Sequence, residues 1–464
     1  MRVLLINPPR EVPQRADFPP MGLAYIGAYL KEHGFPVKII DASSLSWRAL
    51  ARRIGENPAE LIGVTCWTVE RGQAYRTARL AKKVLPKAKV IMGGHHASAF
   101  PEHMFPLAGA DVVVVGQGEE AMLELARHFA GYGPDLHEIK GIVFREGEGF
   151  IHTPLREIKD DLDKYPFPLY DDFDLRDYNG LPEISGPAAA VISSRGCPYK
   201  CTFCAASKFW ERRWIYRSPE NVLSEVEWLM ERFKLKGVLF FDDVFALKKE
   251  RAIEICRGLI ERGWNLKWAA ELNISSVDEE LLIWMKRSGC YRIDLGVESG
   301  SPKILRNIKK PQTVRHIRRA FELAHKVGIN PRAYLMVGNP GEDEGTIDET
   351  IALMKEIDPY LSPTAQILWV LPNTDIYERA KGEGIISDDF WLHNDQMVYY
   401  TGEHTIEELI ALRNRLMRGL ARNQGTMRAY LGYIFLRLYY RFPQVRKMYH
   451  NRLARATALF NKMF

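Results

Sequence analysis

Along the first third of the chain, short apolar runs alternate with amphipathic stretches. Val3–Asn7, Val37–Asp41, Leu61–Cys66, Lys89–Met92 and Asp111–Val115 have the length and character of strands. Between them Met21–His33, Ser46–Ile54, Arg71–Val84 and Glu119–Phe129 repeat apolar positions at helical spacing. This alternation predicts a doubly wound, Rossmann-like parallel sheet over residues 1–142. Such sheets take ligands at the carboxyl ends of their strands. Those ends are Asn7-Pro8-Pro9, Thr65-Cys66-Trp67-Thr68, Gly93-Gly94-His95-His96-Ala97-Ser98 and Val115-Gly116-Gln117-Gly118-Glu119. Their glycines admit close backbone approach, and their hydroxyls can bind amides or a phosphate.

Residues 143–187 carry few periodic signals and many breakers, and read as an extended linker. From 188 to 392 the pattern becomes six strand–helix units. The strands are Ala188–Ser193, Gly237–Asp242, Leu266–Leu272, Arg292–Val297, Arg332–Val337 and Ala365–Leu371. The helices follow near Pro219–Phe233, Lys249–Arg262, Asp278–Ser288, Val314–Val327, Thr346–Ile357 and Ile376–Gly382. Ser218-Pro219-Glu220 is a helix start, and Gly263, Gly289 and Gly328 fall where helices stop. Six units predict a partial (β/α)6 barrel of α/β class, open at one side, with its chemistry at the C-terminal strand ends. Residues 393–464 form a third, helical region. Ile406–Leu420 reads as an ordinary helix, and Tyr430, Leu431, Ile434, Phe435, Leu438, Tyr439 and Phe442 then share one helical stripe.

With 464 residues, 46% of them apolar and 26% charged, the chain has the composition of a soluble protein of two or three domains. The net charge of +6 belongs to the tail: from Arg413 onward there are 12 Lys/Arg and no acid, so the first 412 residues are net −6. Apolar surface with a basic rim (Arg428, Arg437, Arg441) fits either of two arrangements. The stripe can lie in a membrane interface, a peripheral contact that favours a lipid or other hydrophobic substrate, or it can pack on the barrel. The tail carries no recognisable RNA-binding module, and no nucleic-acid partner is expected. Met1–Ile6 runs into Asn7-Pro8-Pro9, too short for a signal-peptide core, and no uncharged apolar run reaches membrane-spanning length. Of six cysteines, Cys66, Cys256 and Cys290 are scattered in apolar surroundings and read as buried thiols. There is no disulfide framework, which predicts a reducing, cytoplasmic compartment.

The other three cysteines sit in Arg195-Gly196-Cys197-Pro198-Tyr199-Lys200-Cys201-Thr202-Phe203-Cys204, at C-x3-C-x2-C spacing directly after an apolar strand. A tight Gly-Cys-Pro loop can aim all three sulfurs at one centre. Thiolates ligate iron–sulfur clusters, and three of them on a four-iron cube leave one iron open. Zinc or a redox thiol pair is the competing reading, but structural zinc takes four ligands and no second Cys pair follows.

This loop, with Phe203 at its aromatic position, resembles that of the radical S-adenosylmethionine enzymes. The resemblance implies a 4Fe-4S cluster on Cys197, Cys201 and Cys204 whose open iron chelates S-adenosyl-L-methionine. It also implies a 5′-deoxyadenosyl radical made by reductive cleavage, and an external electron donor of flavodoxin or ferredoxin type. By position along the barrel, Phe203, Asp242, Asp243, Glu271, Asn273, Glu298, Ser299 and Gly338 are the expected S-adenosylmethionine contacts. Asp242 and Asp243 match the segment that takes its ammonium, Glu298 and Ser299 the ribose segment, and Gly338 the adenine strand.

The first half is similar to the cobalamin-binding domain that precedes the radical domain in one large subclass. The matching pieces are Asn7-Pro8-Pro9, Pro20-Met21-Gly22-Leu23-Ala24-Tyr25, Gly93-Gly94-His95-His96-Ala97-Ser98 and Gly116-Gln117-Gly118-Glu119. The resemblance implies cobalamin contacts at Asn7, Pro9, Thr65, Trp67, Gly93, Gly94, His95, Gly116, Gly118 and Glu119. The D-x-H-x-x-G sequence that supplies a lower axial His elsewhere is absent, so the axial ligand stays open. Most of the subclass methylates unactivated carbon or phosphorus. An enzyme C-methylating a hydrophobic small molecule or lipid is therefore expected, with cyclisation, oxidation or carbon–carbon joining as the alternative. Transfer-RNA methylthiotransferases share the loop but need further N-terminal cysteines, and residues 1–187 hold only Cys66. A non-enzymatic cobalamin or iron–sulfur sensor would show losses at the loop or strand ends, and none is visible.

Overall fold

The computed structural model describes residues 1–360 and 363–421. Two compact units divide the chain. One comprises Met1–Glu271, Ile283–Tyr291 and Val370–Val398; the other comprises Leu272–Leu282, Arg292–Trp369 and the described residues from Tyr399.

In the first unit a seven-stranded sheet is built around β1 (Val3–Asn7), with β2 (Val37–Asp41), β3 (Leu61–Thr65), β4 (Lys89–Gly93), β5 (Val112–Val114), β6 (Ile142–Glu146) and β7 (Gly149–His152) in the order β2-β1-β3-β4-β5-β6-β7. β1 to β5 are parallel, in registers such as Val3↔Val37, Val3↔Leu61 and Leu61↔Lys89. The strands are short and apolar on both faces, as parallel strands covered on both sides must be. Leu4, Ile6, Ile40, Ile62, Val64, Val90, Met92 and Val113 form the core. The strand order reverses at β1, so the ends of β1 and β3 flank a crevice of the kind that binds ligands.

The segment expected as a linker is more structured than its sequence suggested. It opens with the antiparallel hairpin β6–β7, turned at Gly147 with φ +58°. Only Ile142-Val143-Phe144 is buried there, and β7 lies at the half-exposed sheet edge, so the hydrophobic alternation is diluted. Beyond it Leu162, Tyr165, Leu169, Tyr170 and Phe173 are buried. Leu169 N–H donates to Ala24 O at 2.9 Å, and Tyr170 Oη–H donates to Ala190 O at 2.5 Å.

The second sheet contains β8 (Ala188–Val191), after which the two-residue pair β9 (Ser194–Arg195) and β10 (Ile215–Tyr216) stands apart. It continues with β11 (Gly237–Phe240), β12 (Lys267–Leu272), β13 (Cys290–Glu298), β14 (Asn330–Val337) and β15 (Thr364–Ile367). The six strands, in the order β8-β11-β12-β13-β14-β15, make the expected open half-barrel. Helix starts follow their capping residues. Ser218 Oγ accepts from Asn221 N–H, Thr313 from His316, Asp343 from Thr346 and Thr374 from Tyr377. Gly328 ends the helix Val314–Val327 in the left-handed region. The helix Ile406–Ala421 packs on Glu344–Ile357 and on β15 within the second unit. No helix among the described residues is long and apolar enough to cross a membrane. The aromatic stripe Tyr430–Phe442 lies outside the described residues.

If residues 153–187 are part of the core, Tyr170→Phe should cost about 1 kcal/mol through the carbonyl it leaves unpaired. Tyr170→Ala should cost about 3–5 kcal/mol, read from urea unfolding midpoints. Changes within about 0.3 kcal/mol for both variants would mark the segment as a passive tether.

Candidate active site

The three-cysteine loop is clamped before its first cysteine. β8 is made of three alanines and a valine, all buried, and delivers Ser193 and Ser194 to the strand end. Beneath them lies Asp242, 1% exposed at the end of β11. Asp242 Oδ2 accepts from Ser193 Oγ–H at 3.0 Å, while Oδ1 accepts from Ser194 Oγ–H at 2.8 Å and from Ser194 N–H. Burial pushes this carboxyl up to about 6, with Arg251 and the serine hydrogen bonds opposing. Arg251 in turn donates to Ser193 O at 2.7 Å and to Arg217 O at 2.8 Å.

The next residue, Arg195, is held by Glu119 at 2.7 Å. Its guanidinium also faces the rings of Tyr25, Tyr165 and Trp210, 4.9, 5.6 and 5.9 Å from their centres. Gly196 follows at φ +86°, where a Cβ would lie 2.4 Å from Arg213 O and 2.8 Å from Trp210 Cβ, so only glycine fits. Its N–H donates to Asp243 Oδ2 at 2.9 Å.

Cys197, Cys201 and Cys204 are partly exposed; Cys66, Cys256 and Cys290 are buried, as expected. Burial pushes the Cys197 thiol up to about 12, and the Cys204 and Cys201 sulfurs add to the push. Thiolates are the ligands that iron–sulfur clusters take, and the loop offers three cysteine sulfurs. Among the described residues no three His, Cys, Asp or Glu side chains gather as a single-ion site requires.

The other expected S-adenosylmethionine contacts are spread over strand ends. Phe203 is half-buried within the loop. Asp243 is exposed beside Gly196, whereas the buried Asp242 has its oxygens engaged by the two serines. Glu271 is half-buried, and its carbonyl accepts from Phe245 N–H at 3.2 Å. In the second unit, the Asn273 side chain caps a turn by accepting from Ser275 N–H at 2.9 Å. Glu298 sits on a bulge of β13 at φ +63° and pairs with Lys310 at 2.8 Å. A non-glycine residue held there is strained, a feature common at functional sites. Ser299 is fully buried, 3.3 Å from Thr350 Oγ1 and accepting from Ser301 N–H. Gly338 at φ +91° donates its N–H to buried Glu342, whose carboxyl is pushed up to about 7 by burial.

Among the expected cobalamin contacts, Asn7 Nδ2–H donates to Asp41 Oδ1 at 2.9 Å, and Pro9 is buried. Gly93 and Thr65 are half-buried at adjacent strand ends. Gly94 has φ +101°, and a Cβ there would lie 2.9 Å from Cys66 O and 3.1 Å from Thr65 Oγ1. Trp67 is half-exposed and stacks on His95 at 4.6 Å; the other face of His95 stacks on Phe209 at 4.1 Å. Burial lowers His95 to about 4, which leaves the imidazole neutral. His96 is buried behind it, 3.2 Å from Thr68 Oγ1. Gly116 at φ +85° would point a Cβ into open space, and Gln117 Nε2 beside it is buried without a hydrogen-bond partner. Gly118 lies against the Ile26 side chain, and Glu119 turns inward to Arg195. An open glycine rim with an unused buried amide donor fits a large ligand edged with amide acceptors, as a corrinoid is.

Sequence reading missed Arg251, Phe209 and the Glu119–Arg195 pair. Arg251 carried a signal, since it falls on the apolar helical row of Ile255 and Leu259. For Phe209 and for the ion pair, which joins residues far apart in sequence, local patterning offers none.

Comparison with known proteins defines the class. Residues 14–126 match the B12 binding domain and residues 191–354 the Radical SAM superfamily. An uncharacterised methyltransferase of Pyrococcus horikoshii is 31% identical over 84% of this chain and 85% of its own length. The anaerobic magnesium-protoporphyrin IX monomethyl ester cyclase of Rubrivivax gelatinosus is 28% identical over 85% of this chain and 72% of that one. Among solved structures, the radical S-adenosylmethionine methyltransferase TsrM of Kitasatospora setae, with cobalamin and a 4Fe-4S cluster bound, superposes with a TM-score of 0.70. It is 21% identical and covers 82% of this chain and 79% of that one. The chain is thus a radical S-adenosylmethionine enzyme. Within that superfamily it belongs to the enzymes with an N-terminal B12-binding domain, whose cofactors are a 4Fe-4S cluster, S-adenosylmethionine and cobalamin.

After anaerobic reconstitution, Cys197→Ala, Cys201→Ala and Cys204→Ala should each abolish 5′-deoxyadenosine formation, while Cys66→Ala, Cys256→Ala and Cys290→Ala should retain it. A scattered cysteine proving essential, with a loop cysteine dispensable, would refute the ligand assignment. Glu119→Ala leaves Arg195 buried without its carboxylate and should lower stability by about 3–5 kcal/mol. Iron bound per chain should fall with it; unchanged iron content would show that the pair does not hold the loop.

Proposed function

We propose that this enzyme C-methylates an unactivated carbon of a hydrophobic small molecule or lipid. The observation that carries the reading is a juxtaposition inside the first unit. The corrinoid-side residues Glu119 and His95 touch Arg195, which opens the cluster loop, and Phe209, which follows it. Methylation of an inert carbon needs both a hydrogen-abstracting radical and a transferable methyl group within reach of one substrate. Bound together, the cluster, S-adenosylmethionine and cobalamin supply those two. In this reading Cys197, Cys201 and Cys204 hold the cluster, and Asp243 and Glu271 take polar groups of S-adenosylmethionine. Asp242 acts from beneath by fixing Ser193 and Ser194. The rim from Thr65 and Trp67 through Gly93, Gly94 and His95 to Gly116 and Gly118 takes cobalamin, with Asn7 and Pro9 at the β1 end.

The hydrophobic substrate class is supported by two half-exposed aromatics at strand ends, Trp67 and Phe241. It is also supported by relatives named as hopanoid methylases in Methylococcus capsulatus and Rhodopseudomonas palustris. A reductant must deliver the electron, and a carrier of flavodoxin or ferredoxin type is the proposed partner. A cytoplasmic enzyme is proposed on the absence of a disulfide framework.

The test separates methylation from cyclisation or oxidation. Holoenzyme is reduced in the presence of a lipid extract, and both products of S-adenosylmethionine are counted. Methyl transfer generates S-adenosylhomocysteine and 5′-deoxyadenosine in equal amounts. 5′-Deoxyadenosine formed without S-adenosylhomocysteine would replace this proposal with a cyclase or oxidase.

A further inference from the structure

Strand β14 has two rows. Pro331, Ala333, Leu335 and Val337 are buried, while Asn330, Arg332, Tyr334 and Met336 remain partly exposed. The register places Asp294 of β13 opposite Arg332 and Gly296 opposite Tyr334, so these side chains share one face of the sheet. On that face Arg292, almost fully buried, already pairs with Asp294: Nε lies 3.1 Å from Oδ1, and Nη2 donates to Oδ2 at 3.3 Å. Arg332 reaches the same Oδ1 only at 3.7 Å, and its side chain is 26% exposed. Among the described residues its guanidinium makes no hydrogen bond, and its carbon lies 5.3 Å from the centre of the Tyr334 ring. Two guanidiniums therefore share one carboxylate, and the outer one keeps its planar fork of donors unused. A partly desolvated guanidinium in that state is suited to bidentate capture of a carboxylate or phosphate.

The next rungs are Tyr334, whose Oη–H reaches Asp294 Oδ2 at 3.5 Å, and, on β13, Gly296, which the Glu298–Lys310 pair covers. Gly296 has no side chain to offer, and a Cβ there would lie 2.5 Å from Glu298 Oε1 and 2.8 Å from Lys310 Nζ. Met336 is the next rung on β14. From Arg332 to the C-terminal end of β14 the strand rises by about 16 Å.

We infer that this face binds the substrate by an anionic group at Arg332, with the apolar body laid over Tyr334 and Met336. The inference rests on the function proposed above and narrows its substrate class. The substrate is an apolar chain or ring system about as long as the strand, ending in a carboxylate or a phosphate. The Arg332–Tyr334 stack is then a specificity element.

The test is calorimetric titration of reconstituted full-length protein with dodecanoate, dodecyl phosphate and dodecanol. In the wild type at least one anionic probe should bind about 10-fold or more tightly than the alcohol, as one charge-assisted contact provides. The stronger of the two identifies the anion. Arg332→Gln should erase the preference, Arg332→Lys should keep part of it, and the exposed control Arg306→Gln should leave it intact. Equal binding of all three probes, no binding of any, a preference that survives Arg332→Gln, or equal loss with Arg306→Gln would overturn the inference. The titration requires no turnover, so it can fail while methyl transfer stands, and the reverse.

Discussion

Holding three cysteines on a short loop is the constraint on which the rest of this enzyme depends. A loop that carries an iron–sulfur cluster cannot be buried in an apolar core, and it cannot be left to wander. The chain resolves this by fixing the residues just ahead of the cysteines. Asp242 bonds Ser193 and Ser194 from beneath, Glu119 and three aromatic rings hold Arg195, and Gly196 passes where any side chain would strike Arg213 and Trp210. Buried charges are tolerated only when paired and hydrogen-bonded, and these are. Asp242 is matched by serine donors with Arg251 nearby, and Arg195 by Glu119.

The same interaction couples the two cofactor-binding halves. Glu119 stands at the start of a helix that follows Gly116-Gln117-Gly118, proposed as part of the corrinoid rim, and also holds Arg195 ahead of the three-cysteine loop. His95 and Phe209 repeat the link through stacked rings, with the imidazole kept neutral by burial. A reaction that draws on two bound groups at one carbon needs their protein shells fixed to one another rather than carried on separate mobile bodies.

Much of this was legible in the sequence. The period of the apolar runs placed every parallel strand to within a few residues, because short strands buried on both faces leave an unmistakable pattern. The C-x3-C-x2-C spacing and the glycines at 94, 116 and 196 announced the loops, because only special backbone geometry demands them. The hairpin Ile142–His152 escaped because an edge strand is half wet and its alternation is weak. The protein partners of Asp242 and Glu119 were silent for another reason. A carboxylate at a strand end looks like a ligand contact in sequence, and only three-dimensional pairing shows that it faces inward to Ser194 or Arg195. The Arg332 face was likewise silent, since nothing local marks an arginine whose expected partner is already taken by Arg292.

The central claim is that the cluster loop and the corrinoid rim form one anchored site. Relaxation of the cob(II)alamin electron spin, measured with the cluster oxidised and then reduced, tests it most directly. Two shells joined by Glu119–Arg195 and His95–Phe209 predict a marked shortening of the relaxation time when the cluster is reduced, lost on Arg195→Met. A relaxation time unchanged by cluster reduction in the intact holoenzyme would contradict the account.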